Sequence, residues 1–145
     1  MNKKGFTVVE LIAAFSLTMV ISVFLFEILI EAKDIFIETA LKTNIQEKTS
    51  IISKNIRTRV LSSTSTINCS GNACTAGGSN VITVNDYNVI VGNQKIATPK
   101  DGDTNIKIEN VNLSADATTL KVHFELKSQN LTKPYIYNVV FYYTV

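Results

Sequence analysis

The chain begins with hydrophobic residues crowded together and ends with them spaced apart. From Leu11 to Phe26 the apolar run is almost unbroken, and the charged residues that interrupt Phe6 to Leu29 are Glu10 and Glu27. About 20 apolar residues in a helix cross a hydrocarbon core of roughly 30 Å, so residues 6–29 are expected to span a membrane. Beyond them the pattern becomes amphipathic. Ile37, Leu41, Ile45, Ile52, Ile56 and Val60 step by four, four, seven, four and four, and Glu38, Lys42, Gln46, Glu47, Lys48, Lys54 and Arg57 lie between them. Such spacing keeps the apolar set on one helical face. Neither proline nor glycine occurs from Phe6 to Val60, so the pattern predicts one helix of about 55 residues, on the order of 80 Å long. Its second half, residues 30–61, is expected to lay its stripe on a sheet.

Ser62-Ser63-Thr64-Ser65-Thr66 ends the helix, because hydroxyl and β-branched residues compete for other backbone geometry. Residues 62–145 then read as strands and turns. Val81–Val84 and Val89–Val91 are strand-like around Asn85-Asp86, and Gly92-Asn93 turns into Lys95–Ala97, which Pro99 ends. Ile106 and Ile108 alternate with charged residues. Leu120, Val122, Phe124 and Leu126 alternate with Lys121, His123, Glu125 and Lys127, the period of a half-buried strand. Ser128 to Pro134 is a loop, and Tyr135 to Val145 a final strand. The expected fold class is α+β, an antiparallel meander folded against the long helix.

Composition narrows the function. The net charge is +2 over 145 residues, and Arg57 and Arg59 are the only arginines, so direct nucleic-acid binding is not expected. Lys3 and Lys4 favour the cytoplasmic side and place the remainder outside. An ordinary secretory signal would need a small-x-small site after the apolar core, where Ile30-Glu31-Ala32 is bulky and charged. Cys69 and Cys74 enclose a turn-forming Ser70-Gly71-Asn72-Ala73, and in an exported domain they are expected to form a disulfide that clamps the helix-to-sheet connection. A metal site is not expected, since His123 is the one histidine and structural sites need about four ligands. Asp101-Gly102-Asp103-Thr104-Asn105 begins like a calcium loop, but Ile106 and Asn112 stand where a glycine and a bidentate glutamate belong, so a polar turn is the better reading. His123 falls on the polar face of its strand. Tyr135, Tyr137, Tyr142 and Tyr143 suit packing, with a sticky surface as the other use. Glu27 follows the main apolar run and suits snorkelling to the interface. No nucleophile–base set or phosphate-cradling loop is present, so neither an enzyme nor a cofactor is expected.

Glu10 is the residue that lipid does not explain, because a charge deep in a bilayer costs roughly 2.5 to 3.5 kcal/mol. The start Lys3-Lys4-Gly5-Phe6-Thr7-Val8-Val9-Glu10 resembles the type IV prepilin signal. The resemblance covers about the first thirty residues and implies the following. Residues 1–5 are a leader, a prepilin peptidase cuts between Gly5 and Phe6, and Phe6 is N-methylated. Glu10, fifth in the mature chain, serves assembly by neutralising a neighbouring subunit's N-terminal amine. The helix packs its C-terminal half on a four- or five-stranded sheet. Partners would be other pilins or pseudopilins, the peptidase and methylase, a membrane assembly platform and membrane lipid. The subunit would sit in the cytoplasmic membrane with its N-terminus inside, then in an extracellular or periplasmic filament. Major pilins often carry proline at the place that is Glu27 here, and its absence predicts a less kinked first half. The stretch Ile51 to Val60, with Ile56-Arg57, resembles the helix end of J-type minor pseudopilins and Gram-positive competence minor pilins, which favours a minor subunit. A single-span anchored binding module, never assembled, is the alternative.

Overall fold

In the computed structural model, residues 7–144 are described. Gly5 and Phe6, with the rest of the expected leader, lie outside them. One helix, α1, runs Val8–Leu61, 54 residues without interruption. It ends where the hydroxyl run begins: Ser62 and Ser63 both donate side-chain bonds to the Arg59 carbonyl at 2.9 Å.

The chain forms two compact units, Met1–Ile37 and Glu38–Val145. Within the second, Leu41, Ile45, Thr49, Ile52, Ile56 and Val60 are buried against the strands. Thr49 fills the seven-residue step in the apolar stripe. Its hydroxyl donates to the Ile45 carbonyl at 2.9 Å, which removes the cost of burying it.

The strands are β1 Ile67–Ser70, β2 Ala73–Ala76, β3 Ser79–Asn85, β4 Asn88–Val91, β5 Gln94–Ala97, β6 Lys100–Asp101, β7 Thr104–Asn105, β8 Lys107–Ala115, β9 Thr119–Lys127 and β10 Tyr135–Tyr142. All pair antiparallel. β1 to β5 make a five-stranded meander, β10-β9-β8 a three-stranded sheet, and β6-β7 a two-stranded hairpin. The α+β layout of a long helix on antiparallel strands is therefore present. The single meander is not: the strands divide into separate hydrogen-bonded sets. The last strand also stops at Tyr142, while Tyr143 turns its N–H to the Thr118 carbonyl and its hydroxyl to the Asp116 carbonyl.

Local chemistry accounts for the registers. Gly77 and Gly78 both have positive φ, 55° and 80°, the pair that a two-residue type I′ turn requires between β2 and β3. A Cβ on Gly77 would also stand 3.0 Å from the Ser65 hydroxyl. In β9, Leu120, Val122, Phe124 and Leu126 are buried while Lys121 and Lys127 are exposed, so the alternation read from sequence is the alternation of the sheet. Phe124 is fully buried and stacks on Tyr137 with ring centroids 4.6 Å apart. The Tyr137 hydroxyl meets the Ser53 hydroxyl at 2.7 Å and so joins helix to sheet. Burial pushes the Tyr137 pKa up, against the pull of that bond.

Candidate functional site: an uncovered apolar helix with a capped carboxylate

The first unit presents hydrophobic side chains in every direction. Phe15, Phe24 and Leu29 are 74%, 61% and 63% exposed. The most apolar eighteen-residue window has a mean hydropathy of 2.4, and none of it is buried. A helix apolar all round is made for burial in a large core or in lipid. This one is long enough and apolar enough to cross a membrane.

The polar groups within that stretch are satisfied locally. Ser16, Thr18 and Ser22 each donate a hydroxyl bond of 2.8 Å to the carbonyl four residues earlier. In hydrocarbon no water replaces such partners, so hydroxyls that bond back to their own helix are the tolerable kind. Glu27, Glu31, Lys33 and Asp34 are exposed where the apolar run ends, as interfacial residues would be.

Glu10 is exposed and lies in the first helical turn. Its Oε2 accepts the Thr7 N–H at 2.9 Å and the Thr7 hydroxyl at 2.9 Å, and its own N–H donates to Thr7 Oγ1 at 3.3 Å. The Thr7 carbonyl takes the first helical bond, from Leu11 N–H at 3.2 Å. This is a reciprocal capping box, in which two otherwise orphaned donors at the helix start gain acceptors. The sequence reading missed it, although Thr and Glu three apart before an apolar run is the signature. Oε1 has no hydrogen-bond partner among the described residues.

The cysteines are joined as expected, but the bond braces a different element from the one expected. Cys69 and Cys74 face each other across the β1–β2 hairpin, Cα atoms 4.0 Å apart, with Cys74 fully buried. The bond braces the first hairpin, whereas the helix-to-sheet connection is the preceding segment 62–66.

Gly102-Asp103 forms the polar turn of the β6–β7 hairpin, and Asp101 ends β6 beside it. The Asp101 carboxylate accepts bonds from the Ser128 hydroxyl and, at 2.6 Å, from the Asn130 amide, so it ties this turn to the β9–β10 loop. The Ser128 bond, opposed by partial desolvation and aided by Asn130, holds its pKa below the ordinary value. Among the described residues no three His, Cys, Asp or Glu side chains converge as metal ligands. His123 is half-buried, opposite Asn138 on one side and Asn112 on the other. Of the four late tyrosines, Tyr137 and Tyr143 are core, Tyr135 is partly buried, and Tyr142 is 75% exposed.

Comparisons of the chain with protein-family models, curated proteins and solved structures give no match.

Proposed function

We propose that this chain is a structural subunit, of the minor class, of a type IV pilus or a related secretion or competence pseudopilus. A prepilin peptidase cleaves between Gly5 and Phe6, Phe6 is methylated, and the helix waits in the cytoplasmic membrane with the strands outside. Assembly then exchanges lipid for the helices of other subunits, and Glu10 meets a neighbour's N-terminal amine. That attraction strengthens as the surroundings become less polar. The protein has no enzymatic role in this reading.

One observation carries the proposal. The unburied apolar surface of residues 8–30 continues, in one uninterrupted helix, into a stripe that forms part of the core of the strand domain. A simple tether needs no such integration, since any flexible linker would hold a domain to its anchor. The test is the intact mass of membrane-extracted protein from cells with an active processing peptidase. Loss of Met1–Gly5 and gain of one methyl group are expected. A chain retaining its leader refutes the proposal.

The capping box supports a second reading, a single-span anchored binding module not built into filaments. Thr7 gives the Glu10 carboxylate a purely local task, so a helix cap alone accounts for an acid at that position. In that case Met1–Gly5 stays attached, and the same mass measurement separates the two.

A further inference from the structure

Within the strand unit a cleft of about 850 Å³ opens between the β3–β4 turn, the β6–β7 hairpin and the β9–β10 loop. That volume lies near the top of the roughly 300–1,000 Å³ range of small-ligand sites. Bonds between elements hold its walls. Ile108 N–H donates to the Asp86 carbonyl at 2.7 Å, which sets the turn carrying Tyr87 beside β8. Ile106 N–H donates to the Pro99 carbonyl at 2.9 Å, and the Thr98 hydroxyl donates to the Ile106 carbonyl at 2.7 Å. Asp101 ties the hairpin to Ser128 and Asn130 of the loop. Walls fixed before a ligand arrives leave little to be ordered on binding.

The charges in this cleft are already matched. Glu109 lies 3.2 Å from the Lys107 ammonium and 3.7 Å from that of Lys127. The Asp101 carboxylate is occupied on one oxygen by Ser128 and on the other by Asn130. The four charged side chains that line the cleft are two cations and two anions, so their formal charges cancel. An anion finds both lysines engaged, and no three acidic, histidine or cysteine side chains converge for a cation among the described residues.

The uncharged groups are the ones left open. The side-chain amides of Asn105 and Gln129 and the Tyr87 hydroxyl make no hydrogen bond to protein among the described residues. Each amide offers both donors and an acceptor, which is what a hydroxyl group needs from its partner. Tyr87 is 44% exposed and supplies a flat apolar face with a polar tip. Ile106, buried in the floor, is the one aliphatic side chain in the lining. An extended peptide would need apolar pockets at alternate positions, and these are missing from the lining.

We propose that this cleft binds a neutral oligosaccharide, with a sugar ring laid on Tyr87 and ring hydroxyls bonded by the Asn105 and Gln129 amides. A sugar joins an apolar C–H face to a rim of hydroxyls that both donate and accept, and it carries no charge to be compensated. The volume admits more than one ring. All the lining residues belong to the strand unit, so the inference does not rest on the filament reading.

The test is a nuclear magnetic resonance titration of the full-length protein in a detergent without a sugar headgroup. The probes are maltotriose and chitotriose, with inorganic phosphate and trialanine as controls. Saturable shifts of the Asn105 and Gln129 side-chain amide signals are expected with at least one of the two sugars and with neither control. Tyr87→Ala and Gln129→Ala should each weaken that binding about tenfold, with the melting temperature kept. Tyr142→Ala, at an exposed tyrosine outside the cleft, should leave it unchanged. Absence of a saturable shift with both sugars overturns the inference. So does an equal response to phosphate or trialanine, or sugar binding that survives Gln129→Ala undiminished.

Discussion

Ile56 should be far more costly to truncate than Ile51, although both lie on the second half of the same helix. Ile56 has no exposed surface, whereas Ile51 is 37% exposed and off the buried stripe. Ile56→Ala deletes three carbons, worth about 0.8 kcal/mol each in transfer free energy, or about 2.4 kcal/mol. A residual cavity of roughly 60 Å³ at about 24 cal/mol per Å³ adds about 1.4 kcal/mol. The total, about 4 kcal/mol, is a large share of the 5–15 kcal/mol typical of a domain. Near 100 residues each kcal/mol moves Tm by about 4–8 °C, so a fall of roughly 15–30 °C is expected. Ile51→Ala should stay within about 0.5 kcal/mol of the parent, a few degrees at most. The assay is the near-ultraviolet circular dichroism of the tyrosines during heating of the full-length protein in detergent. If Ile56→Ala melts within about 3 °C of the parent, or Ile51→Ala falls as far as Ile56→Ala, the helix is not part of the strand domain's core. The apolar helix would then be no more than a tether, and the filament reading would lose its support.

Replacing both Cys69 and Cys74 by alanine should cost about 2 kcal/mol, the chain-entropy value for so short a loop. Urea melts check this, and reductant should bring the parent to the same midpoint; a midpoint indifferent to reductant would sink it. Glu10→Val should leave membrane insertion and leader removal intact but cut incorporation into filaments, read by pull-down of sheared filaments; normal incorporation would count against the assembly role. Asp101 gives an acid-side dependence. Its pKa is depressed from an ordinary 3.8, so its contribution is complete above that value and is lost as pH falls through the lower folded-state value. Asp101→Asn should flatten the melting temperature against pH in that range, and an unchanged slope would show that the Ser128 and Asn130 bonds do not matter to stability.

The parts of this fold that sequence made legible are those where one periodicity governs many residues. The stripe from Leu41 to Val60 and the alternation from Leu120 to Lys127 each repeat a spacing, so single exceptions do not obscure them. Thr49 escaped because a polar residue was not expected in the stripe, and only its bond to the Ile45 carbonyl shows why it is tolerated. β1 and β2 escaped because Asn68, Cys69 and Ser70 carry little strand signal of their own. The hairpin exists through pairing across Gly71-Asn72 and the disulfide. Both sheets pair strands that are neighbours in sequence, so what local pattern does not encode is where the pairing stops, between β5 and β8. The capping box was legible in principle from Thr7 and Glu10 three apart, but beside a long apolar run the same glutamate also reads as an isolated charge.

In the filament reading that charge has two uses, and they do not exclude each other. Before assembly, a carboxylate at the start of a membrane helix needs compensation. The Thr7 N–H and hydroxyl supply it, and the positive end of the helix dipole adds to it. Both Thr7 bonds fall on Oε2, so the capped state leaves Oε1 available to accept from a donor on another molecule. Under the proposed assembly, a neighbour's amine binds without breaking the cap, and the helix start keeps its hydrogen bonds as lipid gives way to protein. Glutamate reaches back over three residues to close a capping box and still presents a second oxygen. Glutamine would present a donor there instead, and valine neither.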